Sequence, residues 1–183
     1  MLNTEQGQVL LRLARDAIAA RFSLSGSAAA HAAWLDEPGA TFVTLTQHGQ
    51  LRGCIGSLEA HRPLLDDVRH NAIEAAFRDP RFSPLTAEEF KITRVEVSLL
   101  SAASQLIFNS EQDALSQLQP GVDGVILEYS WHKATFLPQV WEQLPQPQEF
   151  IGHLKAKAGL QPEFWSNDIK LSRYSVQKWG EGE

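Results

Sequence analysis

Apolar residues recur most regularly at the start of the chain. Val9, Leu10, Leu13, Ala14, Ala17, Ile18 and Phe22 follow one another at helical spacing behind Thr4, a residue suited to cap the helix. The apolar face so formed needs a sheet or a second helix to cover it. From Ser23 to Ala33 the composition turns to Ser, Gly and Ala, which predicts a long surface connection rather than a domain linker, because a strand begins directly behind Trp34–Gly39. Thr41–Thr46 is β-branched and apolar, His48-Gly49 turns, and Leu51–Leu58 returns as a second strand.

Pro63 stands where a helix tolerates proline, at its first turn, and Leu64, Leu65, Val68, Ala72, Ile73, Ala75 and Ala76 carry the pattern to Asp79-Pro80, where it stops. Thr86-Ala87-Glu88-Glu89 has capping-box spacing and predicts a short helical turn. Val95, Val97 and Leu99 alternate with Glu96 and Ser98, as in a strand with one wet face. Ser110–Leu118 predicts a short helix. Gly121–Gly124 turns into a strand over Val125–Tyr129, and a tight turn at Trp131-His132-Lys133 leads to its partner over Ala134–Leu137. Pro147 opens a helix with Phe150, Ile151, Leu154 and Ala158 on one face, Lys155 and Lys157 in its last turn and Gly159 behind it. Ile169–Trp179 closes the chain as one strand. Helices and hairpin-paired strands alternate without a regular βαβ repeat, so the fold class is α+β, with a mostly antiparallel sheet and flanking helices.

Length and charge narrow the function. The 183 residues suit one domain, and 43% hydrophobic with 21% charged residues is an ordinary globular balance. No apolar run reaches the roughly 18 residues that span a bilayer, and Met1–Glu5 lacks the basic start of a secretory signal; a cytoplasmic protein without membrane contact is expected. A net charge of −6 disfavours general nucleic-acid binding, which draws its affinity from neutralised phosphates. The single cysteine, Cys54, excludes an internal disulfide, a Cys-x-x-Cys redox pair and cysteine-rich metal sites.

Leu51-Arg52-Gly53-Cys54-Ile55-Gly56 is the most unusual local sequence. Two glycines inside a strand make sense where a backbone or a ligand comes close, or where a bulge bends the strand. A thiol between them is approachable from a groove, and Arg52 beside it could stabilise a thiolate or hold an anion. Equally, Cys54 is a small buried hydrophobe and the glycines serve helix packing. A nucleophilic cysteine needs a base. Of His31, His48, His61, His70, His132 and His153, His61 is the nearest candidate, with Glu59 two residues before it, though a solvated loop histidine has the same signature. No His-x-His, His-Glu-x-x-His, P-loop or dinucleotide motif occurs, so no metal and no cofactor is expected. Arg52, Arg62, Arg69, Arg78 and Arg81 cluster in an acidic chain. Asp79-Pro80-Arg81-Phe82 reads first as a helix exit fixed by an Asp–Arg pair, and second as part of a pocket for a small anionic ligand under the Cys54 strand. Trp131, Trp141, Trp165 and Trp179 are expected in the core or at a lobe junction.

Several blocks together resemble the AMMECR domain family, and in particular its bacterial AmmeMemoRadiSam system protein A group. They are Leu51–Gly56, Asp79–Thr86, Val95–Leu100, Gly121–Gly124, Leu137–Glu142 and Lys157–Leu160, with Trp165 and Tyr174 behind, in family order over nearly the whole chain. The resemblance implies one AMMECR-type domain over residues 5–179, with short tails at 1–4 and 180–183. It also implies two unequal α+β lobes sharing one core, with the cysteine motif facing a cleft between them. It further implies a pathway component working with a Memo-family protein and a radical S-adenosylmethionine enzyme. In that setting Cys54 is the candidate catalytic thiol, and Arg52, Gly53, Gly56, Glu59, His61 and Arg81 are the candidate ligand-binding residues. The alternative is a non-catalytic module that docks those partners, with nucleic-acid binding a distant third.

Overall fold

The computed structural model describes residues 1–24 and 32–182. The connection expected over Ser23–Ala33 falls mostly outside them, as does His31. The chain divides into two compact units, residues 1–100 with 177–183, and residues 101–176. The described side chains form two hydrophobic clusters, one in each unit.

In the first unit, helix α1 spans Thr4–Ala20. Its cap is Asn3 rather than Thr4: Asn3 Oδ1 accepts from Gln6 N at 2.9 Å while Gln6 Oε1 accepts from Asn3 N at 2.9 Å. That reciprocal box needs a glutamine or glutamate at the third helical position, and only the Asn3 frame supplies one. Strand β1 (Pro38–Gln47) turns through His48 and Gly49, both at positive φ (50° and 76°), into β2 (Gln50–Gly56). Two left-handed residues make the turn whose twist matches the paired strands. The short strand β3 (Arg62–Pro63) pairs with the start of β1, and α2 (Leu64–Phe77) follows it. Helix α3 (Ala87–Ile92) carries the expected Thr86/Glu89 capping box and leads into β4 (Arg94–Leu100). The five-stranded sheet runs β2-β1-β4-β9, with β3 off its edge and β9 supplied by Val176–Gly180. Val43 and Leu45 of β1 and Val95 and Val97 of β4 bury one sheet face, together with Leu10, Leu13, Ala14 and Ile18 of α1 and Val68, Ala72, Ala75 and Ala76 of α2. On β4 the face expected to be wet is only partly so: Glu96 is half-buried and Ser98 is buried.

The second unit carries β5 (Ser104–Gln105), α4 (Glu111–Ser116), the hairpin β6 (Gly124–Tyr129) and β7 (His132–Phe136), α5 (Pro147–Lys157) and β8 (Lys170–Tyr174). Its four-stranded sheet runs β5-β8-β6-β7, and its resolved pairings are antiparallel. Phe150, Ile151 and Leu154 of α5 pack on Val125, Leu127 and Leu171, with Trp141 stacked on Phe150 at 3.7 Å.

Two further expectations change. The last strand is two: β8 belongs to the second sheet, and after Ser175 β9 joins the first. Trp131 is 85% exposed, because Tyr129 pairs with His132 and the hairpin turn is therefore Ser130-Trp131, with its side chains outside the ladder. Lys155 stands in the last turn of α5 as expected and is 1% exposed there; its ammonium binds Glu111 and the Pro162 carbonyl under the Trp165 ring.

Candidate functional site

Strand β2 forms one edge of the first sheet. Its ladder with β1 slips by one residue: Leu45 pairs with Gly53 and Thr46 with Leu51, which leaves Arg52 as the extra residue of a β-bulge. The bulge re-aims Arg52. Its Nε donates to Glu89 Oε1 at 3.0 Å, and its Nη2 donates to Glu89 Oε2 at 3.2 Å and to the Ser83 carbonyl at 2.9 Å. The guanidinium lies 5.8 Å from the Phe82 ring centre, and Nη1 is buried without a partner among the described residues. Arg52 thus anchors β2 to the 83–89 segment and makes no hydrogen bond to Cys54. The same fork, with the Thr86 main-chain N–H next in effect, lowers the Glu89 carboxyl from 4.5 to about 2.

The glycines have a packing reason. A Cβ on Gly53 would sit 2.2 Å from the Ala75 carbonyl oxygen, so the strand and α2 meet backbone to backbone. A Cβ on Gly56 would sit 2.2 Å from the Phe42 ring of β1. Bulge and close backbone approach, both foreseen for this motif, occur together.

Cys54 stands opposite Thr44. The residue is half-buried, and its sulfur lies 3.3 Å from Thr44 Oγ1. Its main chain points the other way, off the edge of the sheet. Cys54 N donates to Asp79 Oδ2 at 2.9 Å, and Arg81 Nη2 donates to the Cys54 carbonyl at 3.2 Å. The two side chains are themselves forked, Arg81 Nε to Asp79 Oδ1 at 2.9 Å and Arg81 Nη2 to Asp79 Oδ2 at 2.7 Å, and Arg81 N adds a bond to Oδ1 at 3.1 Å. Arg81 holds the Asp79 carboxyl far below the usual carboxylate range; burial opposes this, and the Cys54 and Arg81 N–H groups reinforce it. Asp79 in turn raises Arg81. The Asp79 side chain is 1% exposed and that of Arg81 53%.

Of the five clustered arginines, Arg52, Arg62, Arg78 and Arg81 each face a carboxylate: Glu89, Asp67, Glu74 and Asp79. Glu59 and His61 form an exposed pair at 3.4 Å on the segment after β2. Among the described residues no histidine hydrogen-bonds the sulfur. His132 instead bonds the Ala158 carbonyl through Nδ1 at 2.7 Å. No cluster of three or more metal-ligating side chains occurs among the described residues, and none of their helices is long and apolar enough to cross a membrane.

The segment leaving β2 is held by a residue that sequence reasoning missed. Asp67 is fully buried. Its Oδ2 accepts from Thr41 N and Thr41 Oγ1, both at 2.8 Å, and from Asn71 Nδ2 at 3.0 Å; its Oδ1 accepts from Ser57 Oγ at 2.7 Å and faces Arg62 Nε at 3.4 Å. The signal was present: Asp67 and Asn71 stand at helical spacing within the stripe of Leu64, Val68, Ala72 and Ala75, where a polar side chain points inward.

Comparison with known proteins places the AMMECR1 family profile over residues 11–179. Protein MJ0810 of Methanocaldococcus jannaschii is 38% identical over 140 residues, covering 73% of this chain and 68% of its own. A Sulfolobus acidocaldarius protein is 34% identical over 183 residues, covering 95% and 81%. Among solved structures, protein PH0010 of Pyrococcus horikoshii superposes with a TM-score of 0.83 at 31% identity, over 98% of this chain and 93% of that one.

Proposed function

The chain belongs to the AMMECR1 family, and from that premise we propose that it serves, in the cytoplasm, as one component of a pathway that includes a Memo-family protein and a radical S-adenosylmethionine enzyme. Cys54 is its chemical contact, the group that meets or covalently handles a small molecule or a modified group. The observation that carries this reading is the way Cys54 is held. Both of its main-chain groups are fixed by Asp79 and Arg81, while the residue is only half-buried and its sulfur lies beside the neutral Thr44 hydroxyl. A fixed backbone under a reachable thiol is what a contact residue needs. An anionic group on the ligand would meet Arg81, whose side chain is half exposed, rather than Arg52, which is buried against Glu89.

With one cysteine in the chain, alkylation reads this site alone. Iodoacetamide labelling of the folded protein is expected, together with loss of pathway output in Cys54→Ala and Cys54→Ser. Labelling only after denaturation, or full output from both variants, would overturn the reading. A second reading is favoured by the absence of a histidine at the sulfur among the described residues and by the paired arginines. In it the protein docks its partners and performs no chemistry. It predicts a chromatographically stable complex with either partner that survives Cys54→Ala.

A further inference from the structure

An outer strand presents unpaired N–H and C=O groups, and proteins close such edges deliberately because they template pairing with another chain. At the edge formed by β2, the outward main-chain groups of Cys54 are taken by side chains: the N–H by Asp79 Oδ2 at 2.9 Å and the C=O by Arg81 Nη2 at 3.2 Å. Neither residue suffices alone. A carboxylate only accepts and a guanidinium only donates, whereas one edge residue offers a donor and an acceptor together. Forked to each other at 2.7 and 2.9 Å, Asp79 and Arg81 offer one acceptor and one donor side by side, as an opposing residue of an antiparallel strand would. Displacing the fork would strand a carboxylate that is 1% exposed. What the fork guards is adhesive: Leu51 on β2 and Leu58 just past it are 44% and 46% exposed.

We propose that the Asp79–Arg81 fork is a strand surrogate that closes the β2 edge at Cys54 against pairing with β2 of a second copy of this chain. The role is independent of any chemistry at the thiol.

Amide hydrogen exchange on the native chain tests it without mutation. The Cys54 N–H, although it points off the sheet, is expected to exchange at least about 100-fold more slowly than an open amide, as ladder amides do. In Asp79→Ala/Arg81→Ala this protection is lost. The variant also gains, relative to the native chain, a dimer captured by a short bis-maleimide, each Cys54 thiol adding its S–H across one maleimide double bond. Arg81→Lys with Asp79 intact keeps the acceptor and a donor of nearly the same reach, and retains native behaviour. Fast exchange at Cys54 in the native chain overturns the proposal. So does a folded Ala/Ala variant with no gain in captured dimer. If that variant does not fold, native exchange decides.

Discussion

The most deeply buried charges of the two units differ in sign. The first encloses two carboxylates, Asp67 and Asp79, at 0% and 3% exposure, with the Arg52 guanidinium less deep at 8%; the second encloses the Lys155 ammonium at 1%, with the Asp123 carboxylate less deep at 6%. The arrangements differ in what surrounds the charge. Asp67 collects its bonds from neutral donors on three segments, Thr41 of β1, Ser57 after β2 and Asn71 of α2, with Arg62 as a more distant cation. Lys155 has a single carboxylate partner, Glu111, which keeps 27% of its side chain in solvent. Removing a buried acceptor orphans every donor aimed at it, whereas removing Lys155 leaves a carboxylate that water can still reach. Asp67 is therefore a keystone, and Lys155 is closer to a tie.

Substitution of Asp67 breaks that comparison most directly. Asp67→Ala is expected to cost on the order of 3–5 kcal/mol in urea denaturation, because several buried donors lose their acceptor at once. Gly53→Ala comes next, at about 1–3 kcal/mol, since the new methyl must push against the Ala75 carbonyl rather than a flexible side chain. Lys155→Met, which keeps the apolar stem and drops the charge, is expected to cost less than about 1 kcal/mol. If Lys155→Met proves as damaging as Asp67→Ala, the distinction between keystone and tie is wrong.

The same contrast marks what was legible in the sequence. Local signals served well: helical spacing in α1, α2 and α5, the His48-Gly49 turn, the Thr86 box and the Asp79–Arg81 pair, each settled within a few residues. What stayed hidden depends on distant partners. Nothing beside Lys155 in the chain indicates that Glu111, 44 positions earlier, pairs with it. The stretch Ile169–Trp179 carries no glycine or proline to mark a break, so its hand-over from one sheet to the other at Ser175 is invisible to periodicity. At the site, Arg52 and Cys54 are neighbours by spacing, yet the bulge sends Arg52 to Glu89, and the groups that fix Cys54 lie 25 and 27 residues downstream. A bulge is set by the register of the whole pair of strands, which the hexapeptide alone does not encode.

The smallest effect sharpens the comparison from the side of pH. Glu89 titrates near 4.5 when unpaired and near 2 in the fold, held down first by the Arg52 fork. A carboxyl lowered by folding adds stability that is complete above its unfolded value and fades as pH falls through its folded one. The contribution is therefore full above pH 4.5 and declines between 4.5 and about 2. The Asp79 carboxyl, lowered by Arg81, loses stability with the same sign, but its window extends to more acidic pH. Glu89→Gln removes one titrating group and leaves Asp79 in place. Its urea midpoint is expected to lie below that of the native chain near pH 6 and to approach it as pH falls toward 2.5. Parallel midpoints across that range would mean that the carboxylate gains nothing from Arg52 on folding, and that the buried guanidinium is held by its packing on Phe82 and the Ser83 carbonyl instead.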